Sequence, residues 1–244
     1  MAFPDSCQSR HSVREGASHR PGDTPPAGPG DTGHRPEEPP ALRLVLASTS
    51  RYRQELLARL GLPFDTVAPG VDETRLPGEA AEHLAARLAR AKAAAVRSSF
   101  PDAVIIGSDQ VAVLGETVLG KPGTVEANVR QLAAASGRRV VFLTGLCVLA
   151  PSPPAEQCAV VSYEVTFRRL DRARIERYVA LDSALDCAGG FRSEGLGVAL
   201  FESMRGDDPT ALIGLPLIRL SEMLVRVGLD PLGPEEGVAA RDED

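Results

Sequence analysis

No uninterrupted apolar run in this chain approaches the roughly 18 residues that a membrane-crossing helix needs, so none is expected. Residues 1–16 are polar and hold no apolar stretch of about seven or more. A secretory leader is therefore not read, and the cytoplasm is the expected compartment. Basic charge is also in deficit: 27 Lys and Arg stand against 33 Asp and Glu, a formal charge of -6. Nucleic acid and anionic membrane are then poor partners, because affinity for a phosphate backbone needs clustered cations that displace counterions. The cysteines Cys7, Cys147, Cys158 and Cys187 show no CxxC spacing, which suits four reduced thiols rather than a metal or redox motif. From residue 41 onward the only histidine is His83, in a helical stretch, so neither a His-based metal pair nor a Ser-His-Asp set is available. No internal repeat is found.

What is present divides into three parts. Residues 1–40 carry eight Pro and five Gly, with Phe3 and Val13 as the only large aliphatic or aromatic side chains. Such a segment buries too little apolar surface to offset its ordering entropy, and a disordered tail is expected. Six acidic residues mixed with four arginines there argue against a transit peptide. Residues 41–232 have the periodicity and length of one domain with a real core. Residues 233–244 read as a flexible acidic end.

Within the core, the apolar run 42–47 predicts a strand, followed by a Ser-rich turn and an amphipathic helix over 51–60 that stops at Gly61. A short strand over 64–68 and a polar loop lead to a helix over 79–98, with a stripe at Ala80, Leu84, Leu88, Ala91 and Ala95. A strand over 103–107 is expected to end in Ser108-Asp109-Gln110, with a separate strand over 111–114. A helix over 124–135 and a hairpin of 139–150 with 158–169, turning at Ser152-Pro153-Pro154, follow. A helix over 171–181, a Gly-rich strand region to Phe201 and a last helix starting near Pro216 complete an α/β domain with a mixed sheet.

Gly115 to Pro122 imitates a phosphate-binding P-loop, but proline stands where a magnesium-binding hydroxyl belongs and removes an N–H from the cradle. The P-loop reading is rejected, while Lys121 is retained as a phosphate contact. Lys92 and Lys121 are the only lysines among the 27 basic residues. Where any cation suffices the chain uses arginine, so two compact ammoniums point to phosphate bound by a point charge. Lys92 is expected at the edge of its apolar stripe, with its head over a cleft. The turn Ala47-Ser48-Thr49-Ser50-Arg51-Tyr52-Arg53 places hydroxyls and guanidiniums at a helix N-terminus, where free N–H groups already favour an anion. Ser50 alone would serve as a cap; the cluster exceeds that need. Carboxylates recur in loops and at strand ends, at Asp72, Glu73, Asp109 and Glu194, as a divalent cation with a polyphosphate requires. Cys187 has no base near it in sequence and is assigned to packing.

Taken in order, Leu46-Ala-Ser-Thr-Ser-Arg-Tyr-Arg53, Val71-Asp-Glu73, Arg87-Leu-Ala-Arg-Ala-Lys92, Ile106-Gly-Ser-Asp-Gln110, Gly120-Lys-Pro122 and Thr144-Gly145 resemble the Maf family of nucleotide pyrophosphatases. The resemblance runs from about Leu42 to Leu232. The stretch Cys187-Ala-Gly-Gly-Phe-Arg-Ser-Glu194, with Gly206-Asp-Asp-Pro209 and Ile213-Gly-Leu-Pro216, is similar to the branch acting on 7-methyl-GTP. The resemblance implies a Maf-like, ITPase-like fold, a mixed twisted sheet with flanking helices around a central cleft. It implies metal-dependent cleavage between the α- and β-phosphates of a nucleoside triphosphate, releasing monophosphate and pyrophosphate, with Mg or Mn as the cation. Asp109, Lys92 and Lys121 would be catalytic. Glu73 and Asp109 would hold the metal, and Ser48, Ser50, Tyr52, Arg53, Arg87, Gln110 and Glu194 would bind substrate. A homodimer is compatible with the family.

Base choice has its own chemistry. Guanine offers adjacent N–H donors, and a carboxylate such as Glu194 accepts from two at once. Methylation at N7 makes the base cationic, and an electron-rich ring attracts a cation stacked on it. Tyr52 stands at that position, where the resemblance would lead one to expect tryptophan. Two other readings stay open on the sequence: the sibling branch acting on dTTP and UTP, and a regulator of septum formation that acts by binding.

Overall fold

The computed structural model describes residues 42–151 and 156–233. The tail assigned to residues 1–40, the Ser152-Pro153-Pro154 turn and the acidic end from residue 234 lie outside them. Seven strands form one sheet: β1 (Leu44–Leu46), β2 (Asp65–Thr66), β3 (Val104–Leu114), β4 (Thr117–Leu119), β5 (Arg139–Leu149), β6 (Glu156–Phe167) and β7 (Phe201–Arg205). Their order is β2-β1-β3-β5-β6-β7, with β4 paired to β3. β1 lies parallel to β2 and β3, and every other pairing is antiparallel, so the sheet is mixed as expected. Among the described residues five α-helices flank it: α1 (Arg51–Ala58), α2 (Ala81–Arg97), α3 (Val125–Ala135), α4 (Arg172–Leu181) and α5 (Leu217–Val225).

The period of two along β1 shows how the layers form. Leu44 and Leu46 join Leu56, Leu57, Leu220 and Met223 beneath α1 and α5, while Val45 and Ala47 join Ala93, Val96 and Ile105 beneath α2. Full burial of each such aliphatic side chain contributes about 1.5–3 kcal/mol. At the far end Phe142, Phe167, Phe191 and Phe201 meet edge to face beside α3 and α4. Thr124 and Asp171, expected as the first residues of their helices, are instead the N-caps of α3 and α4, accepting from the Ala127 and Arg174 N–H groups.

Two expectations need correction. The strands expected over 103–107 and 111–114 are one strand, β3, because Ser108, Asp109 and Gln110 stay in register opposite Leu146, Gly145 and Thr144 of β5. Asp109 is thus a mid-strand residue rather than a strand-end one. Cys147 and Cys158 are not separate thiols: they oppose one another across β5 and β6, Cα atoms 4.2 Å apart, and are bonded. Antiparallel register brings residues 11 apart in sequence face to face, a pairing that CxxC spacing does not announce. The stretch over 115–122, rejected as a P-loop on its sequence, holds the turn of the β3–β4 hairpin at Gly115, with φ 64°, and strand β4.

Candidate active site

The turn from β1 into α1 keeps its donors available. Ser50 occupies the N-cap of α1 but makes no side-chain capping bond, and the buried Ser48 Oγ accepts from Ser50 N–H at 3.1 Å. The first-turn N–H groups of α1 therefore lack a side-chain cap at a helix end that attracts anions. From the first turn of α1, Arg53 donates through Nε to Gly214 O at 2.8 Å, which fixes the guanidinium. Burial pulls the Arg53 pKa down, and the carboxylates of Asp109 and Glu73 oppose that shift.

How Lys92 meets Asp109 depends on two glycines. A methyl at Gly107 would lie 2.7 Å from Ala93 N and overlap Ala89 O; one at Gly145 would overlap Ala85 O and stand 2.6 Å from its carbonyl carbon. The backbone of α2 thus rests directly on β3 and β5. The sheet-facing residues are consequently Ala85, Ala89 and Ala93, with Leu84, Leu88 and Val96 beside them. Ala91 is only half buried and Ala95 is exposed, so the stripe lies about one position off its expected phase. Lys92 is accordingly not at an edge but buried, 6% exposed, with Nζ 2.6 Å from Asp109 Oδ1 and 2.5 Å from Glu73 Oε1. A buried ammonium needs such partners to offset its desolvation.

Glu73 reaches Lys92 from an exposed loop. Burial pushes its carboxyl up, but the hydrogen bond and charge of Lys92, with Lys121 and Arg53, outweigh this and hold it below the ordinary range. Arg87, expected at the substrate, does not line the cleft. Its Nε and Nη2 bind Glu79 at 2.6 and 3.0 Å, and Nη2 also donates to Thr74 O at 3.1 Å. It ties the Glu73 loop to α2, because the planar fork of Arg87, five residues before Lys92 on that helix, finds a bidentate carboxylate in Glu79 of the loop. Hydrogen bonds from Arg87 pull Glu79 down from 4.5 to about 2. A depressed carboxyl stabilises the fold above its unfolded pKa of 4.5 and loses that contribution as pH falls from 4.5 towards 2. In urea unfolding at a series of pH values, Glu79→Gln should be less stable than the parent at neutral pH, with the difference vanishing near pH 2. A difference independent of pH would show that the ion pair does not stabilise the loop.

The remaining groups complete one cleft of ≈ 830 Å³, within the size range of a small-molecule site. Lys121 stands exposed at the rim after β4. Tyr52 lines the part of the cleft next to Cys187, and Arg51 lies 4.8 Å from its ring centroid and donates to its hydroxyl at 2.9 Å. Beside it burial pushes the Cys187 thiol up to about 11, which leaves little thiolate at neutral pH and agrees with a packing role. Glu194 and Asp186 give the cleft further carboxylates. Gln110 lines the cleft, but its amide nitrogen is held by Ala211 O at 2.8 Å and Leu212 O at 3.0 Å. Ser48, Ser50, Tyr52, Arg53, Glu73, Lys92, Asp109, Gln110, Lys121 and Glu194 therefore share the cleft, and Arg87 does not. Among these groups Glu73 and Asp109 alone offer a pair of carboxylates bridged by one cation. Sequence reasoning missed Gly107 and Gly145 as determinants; the Ala85, Ala89, Ala93 spacing opposite them was the available signal.

Residues 43–227 match the family described as "Maf-like protein". Proteins carrying the name 7-methyl-GTP pyrophosphatase are similar over most of their length. That of Nitrosococcus oceani is 54% identical over 76% of this chain and 93% of its own. Those of Alkalilimnicola ehrlichii and Pseudomonas putida are 54% and 56% identical, over 82% and 77% of this chain and 99% and 98% of theirs. A solved chain described as the Staphylococcus aureus Ham1 protein is 18% identical, covering 52% of this chain and 71% of its own with a TM-score of 0.36, too slight a likeness to argue from. With residues 43–227 matched and relatives more than half identical along almost their full length, the chain belongs to the Maf family.

Proposed function

We propose that this protein hydrolyses 7-methyl-GTP to 7-methyl-GMP and pyrophosphate, removing a modified nucleotide before polymerases meet it. The single observation that carries the reading is the convergence of Asp109, Glu73 and Lys92 within 2.6 Å contacts at the floor of a cleft also lined by Arg53 and Lys121. Cations placed along a polyanion, beside one carboxylate that accepts a proton, are what phosphoryl transfer needs, since it is helped chiefly by positioning and charge neutralisation.

In this reading the free first-turn N–H groups of α1, Ser48 and Arg53 bind the phosphate chain from one side, and Lys92 and Lys121 bind it from the other. Asp109 accepts a proton from water as the water oxygen attacks the α-phosphorus in line with the bond to the bridging oxygen. That bond breaks, its electron pair leaves with pyrophosphate, and Lys121 offsets the charge that develops there. Glu73 and Asp109 would hold a hard divalent cation such as Mg or Mn, because both present carboxylate oxygens to the cleft beside Lys92. When bound, such an ion would add charge neutralisation at the triphosphate. Glu194 would accept from the paired N–H donors of guanine, and the Tyr52 ring would face the cationic base in place of Arg51.

A panel of 7-methyl-GTP, GTP, UTP and dTTP, with released pyrophosphate as readout and Mg²⁺ or Mn²⁺ added, tests this. We expect 7-methyl-GTP to lead both pyrimidines in kcat/KM by about tenfold or more, the size of effect that a bidentate base contact gives. Preference for a pyrimidine would reassign the base while leaving the phosphate chemistry in place.

A further inference from the structure

We propose that Asp182 is a positioning residue for base selection: its carboxylate, outside the cleft, folds the loop that presents Glu194 to the nucleotide. This rests on Glu194 reading the base edge. Asp182 is the C-terminal cap of α4, its N–H donating to Tyr178 O at 2.8 Å, and it is 5% exposed. Neither oxygen faces the cleft. Oδ1 accepts from Arg192 Nη2, and Oδ2 accepts from Leu196 N–H at 2.9 Å.

Those two bonds grip the chain at 192 and 196, on either side of Ser193 and Glu194, both of which line the cleft. The loop is further closed on Arg192, whose carbonyl accepts from Gly195 and Gly197 N–H at 3.3 and 3.1 Å and whose own N–H donates to Tyr178 Oη at 3.2 Å. Arg192 Nε is buried and has no partner among the described residues, so Asp182 is what holds this guanidinium. Gly195 passes so close that a methyl there would lie 2.7 Å from Asp182 Oδ2. Among the described residues the Glu194 carboxylate accepts a hydrogen bond from the Ser193 hydroxyl alone, at 3.4 Å. Its place is therefore set by the backbone that Asp182 folds, and an acceptor aimed at two donors tolerates displacement of only about 0.5 Å.

Four variants of the full chain, assayed with 7-methyl-GTP, GTP and UTP, test the proposal: Asp182→Asn, Asp182→Glu, Gly195→Ala and Glu194→Gln. Gly195 has a negative φ of -117°, so alanine there meets no left-handed backbone strain and its methyl presses on the Asp182 carboxylate. Asp182→Asn and Gly195→Ala should each lower the guanine-over-UTP selectivity about tenfold, through a raised KM for the guanine nucleotides, with kcat for UTP within about twofold of the parent. Asp182→Glu should restore part of the selectivity. If Glu194→Gln loses selectivity and the other two keep it, the role of Asp182 is overturned and the base reading stands. If Glu194→Gln keeps it, the base reading falls instead. A uniform loss in kcat for all nucleotides would make Asp182 a purely structural residue, and should Asp182→Asn not fold, Gly195→Ala decides.

Discussion

Asp109→Asn should lower kcat by about a thousandfold while the KM for nucleotide stays within about threefold of the parent, the split expected when a general base is removed without changing shape. That loss corresponds to about 4 kcal/mol of transition-state stabilisation. The substitution is a clean one here for a structural reason. Asp109 is 7% exposed in the middle of β3, its backbone pairs with Gly145, and its side chain meets Lys92. An amide of the same shape keeps the strand register and an acceptor for Lys92, and Glu73 still neutralises the ammonium at 2.5 Å. What it loses is the ability to take a proton and one carboxylate for a cation. Initial-rate measurements with equilibrium nucleotide binding separate the two effects. Retention of more than about a tenth of the parent kcat would move the base elsewhere in the cleft. If the variant loses turnover yet preserves every cellular effect of the parent, the protein acts by binding and a regulator of septum formation becomes the better description.

Gly145→Ala should lower thermal stability by about 10 °C and abolish activity in whatever fraction still folds. The added methyl meets Ala85 O and its carbonyl carbon, both backbone atoms of α2, so no rotamer change relieves the overlap. Overpacking against flexible side chains costs about 1–3 kcal/mol, and rigid backbone on both sides puts this site at or above the upper end. At about 2–4 °C per kcal/mol for a chain of this size, a drop near 10 °C follows. Relief by lifting α2 from the sheet would draw Lys92 away from Asp109, so activity fails with the packing. Gly107→Ala, facing Ala89 and Ala93, should behave alike, whereas a methyl at Gly120 meets nothing within 4 Å and should leave the melting temperature unchanged. Unaltered melting of Gly145→Ala in calorimetry would mean that α2 does not press on the sheet there.

The two predictions mark where reading the chain succeeded and where it stopped. The order of elements was legible because each carries its own signal: the apolar run of β1, the helical stripe through Leu84 and Leu88, the stop at Gly61. So was most of the cleft, because Ser48, Arg53, Glu73, Lys92, Asp109 and Lys121 are residue types with few other reasons to recur in motifs of this order. Arg87 lies outside the cleft because a guanidinium pairs with any oxyanion that accepts two of its N–H groups. Whether that is a nucleotide phosphate or the Glu79 carboxylate depends on how the loop over 72–79 folds back on α2. The single strand β3 was split because a polar Ser108-Asp109-Gln110 looks like a strand end until β5 supplies its ladder and the carbonyls of residues 211, 212 and 214 take its side chains.

The amino-acid sequence by itself determined the chemistry of this protein: two lysines in an arginine-rich chain, a hydroxyl turn before a helix, and carboxylates set far apart along the polymer. Tertiary structure alone decided which of them meet. Lys92 and Asp109 are 17 residues apart and join only because glycine on two neighbouring strands lets a helix backbone lie against the sheet. Local signals report on neighbours a few residues away, and contact between backbones from three separate segments has no such signal.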